Sequence, residues 1–232
     1  MKTTARTNQD EDKIVSMPEP TLRRMPSYLS YVKFLFNNGR DVVSAPLIAN
    51  FLKLDSTLVA KDLASIGAIG RPRVGYDILK LIDTIEIAIG WRNVHDAFLI
   101  GAGNLGAALM GYNGFQDCGF NIVAAFDSNP QKVGTSIHGK PIFALDRLKD
   151  LISRMKIQIG IIATPADQAQ KIADLLIEGG IKAIWNFANV QLDVPDEVIL
   201  QNNSFYTCIS IIKTRLSESL NKKSRLGEDD NV

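Results

Sequence analysis

The chain has 232 residues, 46% of them hydrophobic, and 26 basic against 25 acidic side chains leave a net charge of +1. That length suits one large domain or two small ones with real cores, and no apolar stretch is long enough to span a bilayer. Overall charge is neutral on nucleic-acid binding, and two cysteines, Cys118 and Cys208, without metal or CxxC spacing, read as reduced thiols.

Residues 1–16 are polar and charged and read as a disordered arm. They lack the apolar core of a signal peptide, which predicts a cytoplasmic protein. Met17-Pro-Glu-Pro20 opens a helical segment. Leu29, Val32, Leu35 and Phe36 then recur at helical spacing up to Asn38-Gly39. Ser44 is placed to cap a second helix, with Pro46 in its first turn and Leu47, Ile48, Phe51 and Leu52 predicted to face inward. Asp55 or Ser56 caps a third, carrying Leu58, Val59, Leu63 and Ile66 and ending at Gly67. Three short helices with tight joints suggest a helix-turn-helix. The stretch Gly67–Ile78 has glycines bracketing Arg71-Pro-Arg73 between short apolar flanks, which predicts a two-stranded hairpin, the wing of a winged helix. Between Arg23 and Arg73 eight basic residues face only three acidic ones, a local footprint for nucleic acid in an otherwise balanced chain. The module is bounded as 17–92, after a helix over Leu79–Gly90.

From residue 93 strands and helices alternate. Ala97–Ile100, Ile122–Phe126, Ile157–Ala163 and Ala183–Asn186 read as strands, with Pro141–Phe143 as an edge segment. Helices are expected over Leu105–Tyr112, Leu145–Arg154 and Gln168–Glu178. Ser204 is placed to cap a last helix over 204–221, before a charged, loose tail at 222–232. The fold class is therefore α/β: an N-terminal winged helix-turn-helix, a Rossmann doubly wound parallel sheet over 93–203, and a C-terminal helix.

The first strand breaks into Gly101-x-Gly103-x-x-Gly106, and Asp127 closes the next strand 21 residues beyond Gly106. This is the pattern that grips a dinucleotide pyrophosphate. Gly101 allows the tight turn, Gly103 lets backbone approach the phosphates, and Gly106 lets helix and strand pack. Ala102, Asn104 and Leu105 complete the turn, whose helix N-terminus favours an anion. Asp127 is set to bond the ribose hydroxyls and to repel a 2′-phosphate, so NAD⁺/NADH is favoured over the phosphorylated pair. Lys132 lies close enough in sequence to bear on that choice. Thr164-Pro165, at the end of another strand, is expected to wall the nicotinamide half, with Asn186-Phe187-Ala188 nearby.

Catalytic equipment is missing. The two histidines, His95 and His138, lie away from the carboxyl ends of the strands and read as surface or structural. Too few residues follow Asn186 for a substrate domain. No catalytic or metal-ligating residue is assigned, and the dinucleotide is expected to be bound without being processed. A compact NAD-dependent oxidoreductase with an accessory N-terminal domain is the alternative; a DNA-binding sensor of another nucleotide is a third.

The whole resembles the Rex family of redox-sensing transcriptional repressors, from about Pro20 to Leu216. The marks are Arg24-Met-Pro-Ser-Tyr28-Leu29, Lys61-Asp62-Leu63, Gly67-x-x-Gly70 with Val74-Gly75-Tyr76, and the glycine turn. Phe126-Asp127, Pro165-Ala-x-x-Ala169-Gln170 and Asn186-Phe187-Ala188 complete them. The resemblance implies a homodimer whose C-terminal helices are exchanged between subunits, binding palindromic double-stranded DNA operators and released by NADH. It implies that Ser56, Thr57, Lys61, Arg71, Arg73 and Tyr76 face DNA, and that Tyr112 and Phe205 lie near the nicotinamide. Four places depart from the family pattern. Ala60 replaces an arginine of the recognition helix, and Pro72-Arg73 replaces Arg-Gly at the wing. Ser30 and Ser204 stand where an Arg–Asp switch pair is usual, and Asn189 stands where proline is usual. Losing both members of an ion pair strands no charge, so an altered coupling is expected rather than a broken one.

Overall fold

In the computed structural model, residues 16–229 are described, so the expected arm at 1–16, all but its last residue, and the final three residues lie outside them. The chain forms two compact units. One runs to Val94 and includes Asp117–Gly119; the other comprises His95–Gln116 and the chain from Phe120 on.

The N-terminal unit is built on α1 (Glu19–Asn37), α2 (Ala45–Leu52), α3 (Ser56–Ser65) and α4 (Ile78–Ala88). Side chains cap three of these. Ser44 accepts from the Leu47 N–H, Asp55 from Leu58 and Asp77 from Lys80, so Asp55 rather than Ser56 caps α3. Met25, Tyr28, Leu29, Val32, Ile48, Val59, Leu63, Ile78 and Ile85 form its core. Phe51 does not join them, contrary to its expected inward face. It is 58% exposed and stacks on Tyr31 with ring centroids 3.9 Å apart. On a helix of eight residues, Ala45, Ile48 and Ala49 already fill the stripe that meets the core.

The wing also departs from expectation. Arg71 and Gly75 exchange backbone hydrogen bonds of 2.7 and 2.9 Å around a tight tip, but that is a single bridge. The ladder proper pairs β2 (Tyr76–Asp77) with β1 (Val42–Val43), antiparallel, from ahead of α2. Gly75, at φ +105°, lies so close to β1 that a Cβ there would sit 2.4 Å from the Val43 carbonyl oxygen. Two residues are too few to show period-two alternation, which is why β1 was invisible.

A buried acid ties α3 to α1. Asp62 is 4% exposed and accepts from Arg24 (2.6 and 2.8 Å), Tyr28 (2.7 Å) and Thr21 (3.0 Å). Burial alone would push the Asp62 carboxyl up. The hydrogen bonds from Arg24, Tyr28 and Thr21, with the guanidinium charge, outweigh burial and hold it below the usual carboxylate range. Burial, reinforced by the bond to Asp62, pushes the Tyr28 hydroxyl up to about 12.

The C-terminal unit is a seven-stranded sheet: β3 (His95–Ile100), β4 (Phe120–Asp127), β5 (Ser136–Ile137), β6 (Lys140–Ala144), β7 (Ile159–Ile162), β8 (Ala183–Asn186) and β9 (Ile199–Asn202). Their order is β5-β6-β4-β3-β7-β8-β9, parallel except for the β5–β6 pair. Without β5 this is the dinucleotide-binding order 3-2-1-4-5-6, with its switch point beside β3. Helices α5 (Asn104–Met110), α6 (Leu148–Met155) and α7 (Ala166–Gly179) connect the strands, and α8 (Phe205–Asp229) follows β9. β9 was not foreseen, because Ile199-Leu-Gln-Asn202 is a polar, mostly exposed edge. α8 runs past its expected end near Leu220, through the stretch expected to be loose.

Replacing Asp62 with Asn should lower stability near neutral pH by about 3–5 kcal/mol, the order expected for breaking a buried pair. Because the folded-state pKa is depressed, the charge's contribution is present above the unfolded pKa and fades as pH falls through the folded one. Thermal melts from pH 7 to pH 2 should therefore show the gap between parent and variant closing below about pH 4. A constant gap would remove the carboxylate charge from the account.

Candidate dinucleotide cleft and nucleic-acid interface

At the carboxyl ends of β3, β4 and β7 lies a cleft of about 410 Å³. Crowding of backbone against backbone shapes its floor. Gly101 has φ +102°, and a Cβ there would meet the Ala163 carbonyl oxygen at 2.6 Å. A Cβ on Gly106 would stand 2.0 Å from the Gly101 carbonyl oxygen. Gly103 differs, since a Cβ there would meet nothing within 4 Å. The first and third glycines serve packing, and the second keeps one face of the turn bare. α5 begins at Asn104, so its leading N–H groups have no helical carbonyl partners.

Asp127 is held in place before any ligand arrives. Its Oδ2 accepts from the Ala102 N–H (2.9 Å) and its Oδ1 from the Asn129 N–H (2.8 Å). Lys132 Nζ lies 3.3 Å from Oδ2 and donates to the Ala102 carbonyl at 3.0 Å. Lys132 thus bridges the acid and the glycine turn, and it lines the cleft with Ser128.

Phe126, Leu145, Ile172 and Leu175 make the cleft's apolar wall, and Gln168 and Lys171 its polar edge. Gln168, Lys171, Ile172 and Leu175 share one face of α7 at i, i+3, i+4, i+7 spacing. That helical spacing, directly after Thr164-Pro165, is the sequence signal for these cleft residues. Thr164 and Pro165, expected to wall the nicotinamide half, line this same cleft with Asp127. The Thr164 hydroxyl is buried and has no hydrogen-bond partner. A pocket with an apolar slot, a fixed acid, a bare glycine and an orphaned hydroxyl fits an adenine dinucleotide.

Tyr112 and Phe205 do not line that cleft. An aromatic run joins them instead: Tyr112 packs on Phe115 (5.0 Å), Phe115 on Trp185 (5.8 Å), Trp185 on Phe187 (4.6 Å) and Phe187 on Phe205 (6.3 Å). Asn186, fully buried, donates to Val190 O and Asn202 Oδ1 and accepts from Ala188 N–H. Its role is to tie down the ends of β8 and β9. Two departures from the family pattern meet here: Ser204 lies 3.4 Å from Asn189 Oδ1 while it accepts from the Thr207 N–H to cap α8.

In the N-terminal unit Ser56, Thr57 and Lys61 are exposed along α3, as are Arg71 and Arg73 on the wing tip; Tyr76 is half-buried. Arg73 takes φ +63°, an uncommon backbone for a side chain this large and a mark of the tight tip. Ser30 lines a neutral groove with Pro26, Ser27, Phe34 and Phe51.

Comparison with known proteins bears on both units. Residues 16–64 match the family model "Putative DNA-binding protein N-terminus" and residues 93–190 match "CoA binding domain". Proteins named redox-sensing transcriptional repressor Rex are similar over most of the chain. The one from Bacteroides thetaiotaomicron is 41% identical over 87% of this chain and 91% of its own. That from Porphyromonas gingivalis ATCC 33277 is 42% identical over 93% and 98%. The chain belongs to the Rex family. A solved Rex-family repressor, RSP, in complex with β-NAD⁺ and operator DNA superposes with a TM-score of 0.84 at 34% identity, covering 92% of this chain and 98% of that one. RSP with β-NADH gives 0.80 at 34% identity, covering 89% and 98%. The fold expected from the sequence, a DNA-binding module joined to a Rossmann sheet, is the Rex fold.

Two substitutions test the cleft by calorimetric titration with NADH. Gly106→Ala should abolish binding, because its methyl cannot coexist with the Gly101 carbonyl. Thr164→Val should leave the ligand-free protein as stable or more so, by removing an unsatisfied hydroxyl, yet weaken NADH about fivefold, one neutral hydrogen bond. Unchanged affinity would mean the hydroxyl does not meet the ligand.

Proposed function

We propose that this Rex chain is a redox-sensing transcriptional repressor that acts in the cytoplasm as a homodimer. It grips a palindromic operator when free or bound to NAD⁺, and NADH releases it. What carries the reading is one chain that joins an exposed helix face bearing Lys61 and a wing tip bearing Arg71 and Arg73 to a cleft with a preorganised ribose acid, in a family named for redox-sensing repression. Among the described residues no helix is long and apolar enough to cross a membrane, and no cluster could hold a metal.

Gly101–Gly106 would hold the pyrophosphate, with Ala102, Asn104 and Leu105 contributing backbone. Asp127 would take a ribose hydroxyl on the capacity its three donors leave free. Thr164 and Pro165 would close over the adenosine side, while Tyr112 and Phe205, at the ends of the aromatic run, would flank the nicotinamide. On the DNA side Ser56, Thr57 and Lys61 would enter the major groove, and Arg71, Arg73 and Tyr76 would reach backbone or minor groove. A dimer fits α8, whose Phe205, Ile209, Ile212 and Leu216 are all more than half exposed on one protomer, a face that a second copy would cover. The release is a population shift. NADH need only favour the non-binding arrangement by a few kcal/mol for its level to set operator occupancy.

Fluorescence anisotropy with a duplex selected from a random pool should show binding that NADH weakens and NAD⁺ does not. Binding indifferent to NADH would end the sensing claim. Lys61→Ala or Arg73→Ala should each weaken binding and reduce the salt slope by about one. Asp127→Ala should weaken NADH by tenfold or more, the scale of a hydrogen bond to a charged group.

A further inference from the structure

Lys61 and Asp62 are neighbours on α3 with opposite fates. Lys61 is exposed, whereas Asp62 is sealed against α1. Successive helical residues lie about 100° apart, so whatever fixes the direction of Asp62 also fixes the outward face on which Thr57 and Lys61 stand one turn apart. Asp62 receives four hydrogen bonds from α1. Oδ1 accepts from Thr21 Oγ1 and Arg24 Nη2, and Oδ2 from Arg24 Nε and Tyr28 Oη. Thr21, Arg24 and Tyr28 stand at i, i+3 and i+7, on one face of α1. Both oxygens are fully used, so Asp62 has no capacity left for a base.

Contacts of Val59 and Leu63 hold α3 to the core, but apolar contacts are non-directional and tolerate small rotations or slides. A bidentate guanidinium–carboxylate fork is planar and tolerates neither. Non-specific grip by long lysine and arginine side chains on phosphates survives a small misalignment; base-edge contacts, which need sub-ångström placement, do not.

We propose that Asp62 and Arg24 are positioning residues that clock the recognition helix, so that they set discrimination between operator and other DNA rather than DNA affinity in general. This rests on the operator-binding reading above.

The test compares affinity of the full-length protein for its selected operator with that for a scrambled duplex of equal length. Arg24→Lys keeps the charge and loses the fork; Asp62→Asn keeps the shape and loses the charge. Both should cut operator affinity tenfold or more and scrambled-duplex affinity less than twofold, with NADH binding unchanged. Leu63→Ala, a core truncation on the same helix with no directional bond, should leave the ratio of the two affinities intact. Folded Arg24→Lys and Asp62→Asn proteins with the parental ratio would overturn the proposal. So would a ratio that collapses equally in Leu63→Ala, which would reduce the hub to stability alone. If Asp62→Asn does not fold, Tyr28→Phe, which removes one of the four bonds, replaces it beside Arg24→Lys and is held to the same criterion. A parent protein with no preferred duplex would instead overturn the operator reading, and the positioning role with it.

Discussion

The close approach of three backbones at the end of β3 governs the C-terminal unit. Gly106 lies over the Gly101 carbonyl and Gly101 over the Ala163 carbonyl, at distances that leave no room for a Cβ. This crowding lets α5 start directly above the switch point of the sheet, between strands that diverge on either side. The Ala102 N–H is then aimed at Asp127 and its carbonyl at Lys132. Acid, turn and lysine form one rigid assembly whose geometry does not wait for a ligand. Preorganisation of this kind reduces the ordering cost of binding, so the difference between two forms of one dinucleotide need not be swamped by that cost.

Much of this was legible in the residues. The glycine spacing, the acid 21 residues on and the parallel strands are local signals with mechanisms attached, and the fold follows from them. The places where reading failed share a cause. β1, β9 and the true partner of the wing are defined by pairing between distant segments, and two- to four-residue strands carry no period of their own. Phe51 looked like core because it is aromatic, but the stripe of α2 was already full. That Thr164-Pro165 and Asp127 share one cleft likewise follows from strand order along the sheet, a three-dimensional fact. Asp62 was read as part of a family signature, and its partners on α1 became visible only once the two helices crossed.

The departures from the family pattern fall into two kinds. Ser204 and Asn189 compensate each other locally, one capping α8 and the other accepting beside it. Ser30 sits in a neutral groove among aromatic side chains, so its loss of charge leaves no buried ion without a partner. Neither substitution damages the fold it stands in.

Each unit has its own core. Met25, Tyr28, Leu63 and Ile85 belong to one cluster, while Phe98, Phe126, Ile162 and Ile184 belong to another. With a separate core behind the DNA-reading helices, NADH need not unfold or remodel them to end their grip. A half-site reader that is itself intact loses a palindrome once the spacing of the two readers is wrong, because both halves must be met at one helical repeat. The coupling is also reciprocal. If NADH weakens operator binding by a given factor, operator weakens NADH binding by the same factor. A repressor seated on DNA therefore senses a higher NADH threshold than the free pool does. The operator's own affinity therefore helps to set the redox level at which each promoter opens.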